Sequence, residues 1–425
     1  MFVADVRLPG MQDIATRAGG WLKGTPLLGG KITNKGAGAA DQQASLVTEV
    51  AVALKDLPVL LVNATAPEDS LRTACHANMV HSGPSRRQET DAFAQYLRAM
   101  NWENILILQG EHPSDAEFAD AFAEGAQVRG ANVISIGLCS TDESYYASGS
   151  LNAPAAMFTA SHNPASYNGI KFSRAGARGI SIDTGLGAIR DRAQIYLDNG
   201  IDEVANPGSF REQHILVAYA SYLRELVDLS QIRPLKVVVD AGNGMGGLTV
   251  PAVLGTASDL ERLPLEIIPM YFELDGTFPN HEANPLDPKN LVDLQRAVVD
   301  HGADMGIAFD GDADRCFVVD EQGSPVTPSA VAAIVARREI AREKRTNPGA
   351  PITVLHNLLT SNIVREVIEH DGARAVKTKV GHSLIKDQMA VTNAIFGGEH
   401  SAHYYFRDFW GADNGMLARS EERRV

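Results

Sequence analysis

Three cysteines in 425 residues, Cys75, Cys139 and Cys316, are too few and too widely spaced for a disulfide framework, and no Cys-x-x-Cys pair offers a zinc site. A reducing compartment, the cytoplasm, is the expected location. Long apolar runs are missing as well. No stretch of about 18 apolar residues occurs to form a spanning helix, and the start MFVADVRLPG has neither the basic region nor the apolar core of an export signal. No membrane association is expected. Positive charge is in deficit: 38 Lys and Arg against 52 Asp and Glu give a formal net charge of −14. Nucleic acid is therefore not an expected partner, because its phosphate backbone demands a basic surface. An anionic ligand would need a local pocket of cations.

What is present is an ordinary globular composition, 44% hydrophobic and 21% charged, over a length that suggests about three domains. Short apolar runs alternate with amphipathic stretches. PVLLVN (58–63), NILIL (104–108) and NVISIGL (132–138) read as strands, and residues 86–101 and 115–130 read as the helices between them. Such alternation implies an α/β fold of strands covered by crossover helices. A second unit opens at LKVVVDAGNGMGG (235–247) and closes near MGIAFDGDADRCFVVD (305–320). A third opens near SAVAAIVARREIAREK (329–344) and includes ITVLHN (352–357) and AIFGGEHSAHYYF (394–406), with boundaries near 210 and 325. The end, ARSEERRV, is charged and helix-like with no closing element, which reads as a truncation.

DGDADR (310–315) sets Asp310, Asp312 and Asp314 at alternate positions after an apolar strand. Hard carboxylate oxygens at this density suit Mg²⁺ or Ca²⁺. The spacing also fits the first half of a calcium loop, with Glu321 at its twelfth position. Arg315 stands where that loop needs glycine, however, and the flanks are strand-like. An arginine beside clustered carboxylates instead suits a loop that binds a metal and a phosphate together.

FTASHNPASYNGIKF (158–172) could be turn or helix-cap chemistry alone. Its charge says more. From Ser161 to Arg178 there are His162, Lys171, Arg174 and Arg178 and not one acidic residue, which marks a local anion site. Ser161 is a weak nucleophile without an adjacent base. It could itself carry a phosphate, which would serve as a metal ligand and as the transferable group. GHSLIK (381–386) and GGEHSAHYY (397–405) add Gly-rich turns with His, Glu and Ser. On an extended loop Glu399 and Ser401 would point the same way, toward neighbouring sugar hydroxyls.

Together these clusters resemble the alpha-D-phosphohexomutases, most closely the bacterial phosphomannomutase/phosphoglucomutase branch, over residues 132–425. The family's T-A-S-H-N-P phosphoserine loop is Thr159 to Pro164, its N-G-x-K continuation is Asn168 to Lys171, and its Mg²⁺ loop is Asp310 to Arg315. The family's sugar loop G-E-M-S-G-H reads Gly398 to His403 here, with two of six residues changed. The resemblance implies tandem mixed α/β domains: 132–210 with the phosphoserine loop, 211–325 with the metal loop and 326–425 with the sugar loop. It implies Ser161, His162, Lys171, Arg315, His382 and His403 as catalytic residues. Gly381, Glu399, Ser401 and His403 would bind substrate, and Asp310, Asp312, Asp314 and phosphorylated Ser161 would hold Mg²⁺. The implied reaction interconverts hexose 6-phosphate and hexose 1-phosphate, with hexose 1,6-bisphosphate as intermediate and activator. VVVDAGNGMGG and DGTFPNHEANPL (275–286) also look like family segments.

Two departures stand out. The family's Y-D-I/V-R-G start is only Asp5-Val6-Arg7 followed by Leu8-Pro9, and the expected G-x-D-x-R turn reads Gly110-Glu111-His112. Residues 1–131 are therefore expected to form an atypical α/β segment, of which 58–131 weakly resembles a periplasmic ligand-binding protein of a transporter. The family's fourth domain, with its R-x-S-N-x-x-P phosphate clamp, is expected to be absent, and with it much of the substrate affinity. The alternatives are a sugar-phosphate-binding remnant or fusion with little turnover, and a phosphoglucosamine mutase, which His400 in place of a glutamine disfavours.

Overall fold

The computed structural model describes the strands Leu61–Asn63, Met79–His81 and Asn104–Gln109 and residues 113–163, 167, 169–199 and 204–422. Three sheets organise the residues after 103, and each repeats one strand order. In the first sheet a central strand, Asn104–Gln109, pairs in parallel with Asn132–Leu138 on one side and Ala155–Phe158 on the other. The chain then turns back as Ile170–Arg174, antiparallel to Ala155–Phe158, and again as Arg178–Gly179. Phe210–Glu212 adds a sixth strand beside Asn132–Leu138.

The second sheet follows the same path with Leu235–Asp240 at its centre, Leu265–Met270 and Met305–Phe309 in parallel on either side, and Cys316–Val319 then Pro325–Val326 returning. In the third, Thr353–Asn357 is central, Arg374–Thr378 and Phe396–Gly398 flank it, and Tyr404–Phe406 and Ala412–Asp413 return. The parallel strands AAMF (155–158), GIAF (306–309) and TVLHN (353–357) are buried along their length, as expected of strands covered by helices on both faces. Among those helices are Pro113–Val128, Val292–His301 and Pro328–Thr346.

The strand and helix expectations hold for 104–108, 115–130, 132–138, 235–240, 329–344 and 352–357. The helix expected at 86–101, the Asp5 to Pro9 start and the Gly110 to His112 turn lie outside the described residues. No seam falls at residue 131: Asn104–Gln109 lies in the middle of the sheet that carries the Ser161 loop, in register with strands beyond that boundary. The sequence motifs begin only after 132, whereas the hydrogen-bonded frame that supports them begins earlier.

One polar helix, Thr141–Ser150, runs where the three domains meet. It starts with a capping box between Ser140 and Glu143, and seven of its residues are buried despite the sequence TDESYYASGS. Its partners explain this. Tyr219 of the second domain donates to Asp142 at 2.6 Å, and Tyr146 packs edge-on against Tyr219 and Trp410. Gly149 lies so close to the Trp410 indole that a Cβ there would collide with it.

Candidate active site

In every sheet the third strand leads into a turn before the chain returns antiparallel, and the three turns converge. The first carries Ser161, the second is Asp310 to Arg315, and the third is Glu399 to His403. Their contacts join all three. The Ser161 hydroxyl donates to Asp312 Oδ1 at 2.9 Å, with Asp310 Oδ2 at 3.4 Å. His403 Nε2 lies 3.6 Å from Asp314 Oδ1.

Ser161 sits in the left-handed region at φ 57°, with its N–H donating to Thr159 Oγ1 at 2.8 Å. The metal loop approaches it backbone to backbone. A Cβ at Gly311 would strike the Ser161 carbonyl, and one at Gly244 would come within 2.5 Å of the Gly311 carbonyl. These two glycines therefore answer to close approach.

Asp310, Asp312, Asp314 and Arg315 are all at most 3% exposed. Lys171 bridges two of the carboxylates, 2.6 Å from Asp312 Oδ2 and 2.7 Å from Asp314 Oδ2. Arg315 Nε donates to Asp310 Oδ2 at 2.6 Å. Burial, opposed by Arg315 but reinforced by Asp314 and Asp312, pushes the Asp310 carboxyl up to about 8. Burial acts on Asp314 too, but Lys171, His403 and Arg315 outweigh it and hold that carboxyl down at about 2. Burial also lowers the Lys171 ammonium, yet Asp312 and Asp314 raise it well above the usual lysine value.

The donor set fits a hard divalent cation. Carboxylate oxygens of Asp310, Asp312 and Asp314 lie within 4.8 Å of one another. Asp314 Oδ1 is buried without a hydrogen-bond partner, as is Arg315 Nη2, and buried polar atoms ordinarily have one. A carboxylate oxygen so placed can accept a cation, and a guanidinium nitrogen an anion.

Comparison with known proteins agrees. The alpha/beta/alpha domains I, II and III of phosphoglucomutase/phosphomannomutase match residues 87–194, 217–323 and 327–420. The chain is 39% identical over 328 residues to a phosphomannomutase of Salmonella montevideo, covering 77% of this chain and 69% of that protein. It is 41% identical over the same length and shares to a phosphomannomutase of Escherichia coli. The chain belongs to the alpha-D-phosphohexomutase family. Among solved structures, a phosphoglucomutase/phosphomannomutase family protein of Burkholderia thailandensis superposes with a TM-score of 0.70 at 27% identity, covering 80% of this chain and 73% of that one. A structure described as a putative phosphomannomutase from Thermus thermophilus, 22% identical with a TM-score of 0.66 over 79% of this chain and 75% of that one, shares the fold.

The phosphohexomutase motifs meet in space, with several adjustments. His162 Nδ1 is 3.2 Å from the Ser161 hydroxyl, and burial followed by the nearby Arg315 charge lowers its pKa. Of the cations expected to form the anion site, Arg174 and Arg178 turn away. Each donates to a carbonyl of its own hairpin region, of Thr184 and Ala175 respectively. Strand alternation explains the split for Arg174, which is three residues from Lys171 and so on the opposite face.

The third loop is a turn and not an extended segment: the Ala402 N–H donates to the Glu399 carbonyl at 3.2 Å, and Ala402 has φ 67°. The Glu399 and Ser401 side chains nevertheless converge on His403 Nδ1, Glu399 Oε2 from 3.7 Å and Ser401 Oγ from 3.2 Å. Glu399 is 2% exposed. Its Oε1 accepts from Asn357 Nδ2 (3.1 Å) and the Gly381 N–H (3.3 Å), and its Oε2 accepts from the Tyr405 hydroxyl (2.8 Å). Ser401 Oγ pairs with His403 Nδ1 at 3.2 Å. His400, the residue expected to bear on sugar choice, bonds to Ser329 at 2.9 Å. His382 opens the His382–Thr392 helix, but its side chain lies outside the described residues, as do Pro164 and Asn168.

Sequence reasoning missed Thr141. Its hydroxyl donates to Asp312 Oδ2 at 2.6 Å and its N–H to the Asp312 carbonyl at 2.9 Å. The capping pattern Ser140-x-x-Glu143 locates that helix start, though nothing in it points to residue 312. Asn357 and Tyr405, which hold Glu399, were missed for the same reason.

Among the described residues no helix is long and apolar enough to cross a membrane.

Proposed function

We propose that the chain is a phosphomannomutase/phosphoglucomutase that interconverts hexose 6-phosphate and hexose 1-phosphate through phosphorylated Ser161. The observation that carries this reading is the Ser161 hydroxyl at 2.9 Å from Asp312, which Lys171 and Thr141 also hold at 2.6 Å each. A serine so placed can pass a phosphoryl group in and out of a site built for its charge.

The free hydroxyl of the hexose monophosphate attacks the phosphorus on Ser161, and its proton passes to a base. His403, where the second and third loops meet, is our assignment for that base, with His382 as the alternative. The bond from phosphorus to Ser161 Oγ breaks with its electron pair on Oγ, beside His162 and Lys171. The resulting bisphosphate turns end for end, Oγ attacks its other phosphoryl group, and the sugar oxygen that leaves that phosphorus takes back the proton held by the base. Hexose leaves with the phosphate at the other position and the serine is phosphorylated again, so no net phosphate is consumed.

Asp310, Asp312, Asp314 and the phosphoserine would hold Mg²⁺, which when bound supplies positive charge to the transferring phosphoryl group. Arg315 offers its buried, unpartnered Nη2 to the same anion. Glu399, fixed by three donors, and Ser401 shape the sugar side. Hexose 1,6-bisphosphate would prime the serine. We expect the reaction to run in the cytoplasm.

Intact-mass measurement with a mutase assay on mannose and glucose phosphates tests this. The wild type should carry one phosphate, and Ser161→Ala should carry none and turn over nothing. An unphosphorylated wild type with an equally active Ser161→Ala would end the reading. Binding of sugar phosphate and Mg²⁺ without turnover would favour a binding protein instead.

A further inference from the structure

Lys386 closes the GHSLIK motif and is 7% exposed. A buried ammonium must be paired to be tolerated. Two partners supply this: Asp413 Oδ1 at 2.7 Å and the ring of Tyr145, whose centroid lies 3.5 Å from Nζ. Lys386 belongs to the His382–Thr392 helix and Asp413 to the strand Ala412–Asp413, both in the third domain. Tyr145 belongs to the Thr141–Ser150 helix of the first.

Each partner leads into the active site. Ligand atoms of Asp413, Asp314 and His403 lie within 4.8 Å of one another, so Asp413 borders the proposed base. The Lys386 ammonium already provides the cation that this carboxylate needs. On the other side, the helix that carries Tyr145 begins with Thr141, which holds Asp312 at 2.6 Å. Lys386 thus links the loop bearing His403 to the helix that holds the metal loop and the Ser161 contact.

We propose that Lys386 is a positioning residue of the mutase, which sets the third domain's His403 against the phosphoserine by clamping Asp413 to Tyr145. The proposal rests on the mutase reading. It predicts a loss in turnover with little change in ground-state binding, because Lys386 pairs with Asp413 and Tyr145 whereas Glu399 is held by Asn357, Gly381 and Tyr405.

The test compares Lys386→Met, Lys386→Arg and the double variant Lys386→Met/Asp413→Asn with the wild type, on glucose 1-phosphate with glucose 1,6-bisphosphate. Thermal unfolding establishes which variants fold. The double variant leaves no unpaired buried charge, so it keeps the test open if Lys386→Met fails to fold. The expected result is a kcat at least about tenfold lower in the neutral variants at nearly constant KM, with partial recovery in Lys386→Arg. A folded neutral variant with wild-type kcat would overturn the proposal, as would a loss confined to KM. An inactive wild type would sink the mutase reading alone. Amide hydrogen exchange of the Thr141–Ser150 helix then decides, since the double variant must speed it, and unchanged exchange overturns the clamp.

Discussion

The carbonyl oxygen of Ser161 occupies the space into which a side chain at Gly311 would have to grow. A single methyl group there must push the phosphoserine loop and the metal loop apart and lengthen the 2.9 Å contact between Ser161 and Asp312. Gly311→Ala should therefore lose roughly 10²-fold in kcat, the effect of about 1 Å of misplacement, while its circular dichroism stays that of the wild type. Activity within a few-fold of the wild type would mean that the two loops do not have to touch.

Thr141 supports Asp312 through both its hydroxyl and its N–H. Removing its hydroxyl in Thr141→Val leaves the carboxylate with Lys171, Ser161 and the longer Thr159 contact as its side-chain donors, and the loss of such an outer partner typically costs about 10–100-fold in metal affinity. Thr141→Ser should restore most of it. Calorimetric titration with Mg²⁺ measures both, and equal affinities in valine and serine variants would refute the role.

Metal binding should release a proton. With Asp310 pushed up to about 8 in the metal-free protein, a cation must displace that proton below this pH. Apparent Mg²⁺ affinity is expected to fall as pH drops from 8 toward 6, and a chelator should stop turnover without unfolding the chain. Titrations at several pH values in two buffers of different ionisation enthalpy would reveal the proton, and a pH-independent affinity would contradict it.

Glu143 and Asp142 bear on stability. Burial, partly offset by the Ser140 N–H, pushes Glu143 up to about 8, and burial, partly offset by Ser140 and Tyr219, pushes Asp142 up to about 7. Each folded-state value lies above its unfolded one, so the folded chain binds more protons. Their contribution is fully present below about pH 4 and is lost as pH rises through 7 to 8. Glu143→Gln keeps an acceptor for the Ser140 N–H and removes that titration. Its melting temperature should decline less steeply than that of the wild type from pH 5 to 8, with an advantage on the order of a few kcal/mol at the upper end. Parallel melting curves would disprove the burial effect.

The acidic loop was legible in the sequence because its three carboxylates lie within five consecutive residues, and the Ser161 loop because an absence of acid marks it. Neither signal depends on the rest of the chain. Lys386, Asp413 and Tyr145 come together only when the first and third domains pack into one shared core, and no local pattern records such a meeting. The third loop reads as extended in the sequence and is a turn because Ala402 takes a positive φ at 67°, a conformation for which alanine gives no warning. Arg174 was grouped with Lys171 by charge alone, when the two-residue alternation of a strand separates them.

The three sheets repeat one path, and each puts its working turn between its third and fourth strands. Every turn is anchored at both ends in its own hydrogen-bonded frame. Each is thus a fitting on a standard socket, and the three fittings touch: the Ser161 carbonyl meets Gly311, and His403 faces Asp314. Under the proposed function, selection on sugar preference would act on residues 400–402, between the buried Glu399 and the His403 that faces Asp314. A change of sugar preference would be a problem of one hairpin, and a change of chemistry a problem of all three.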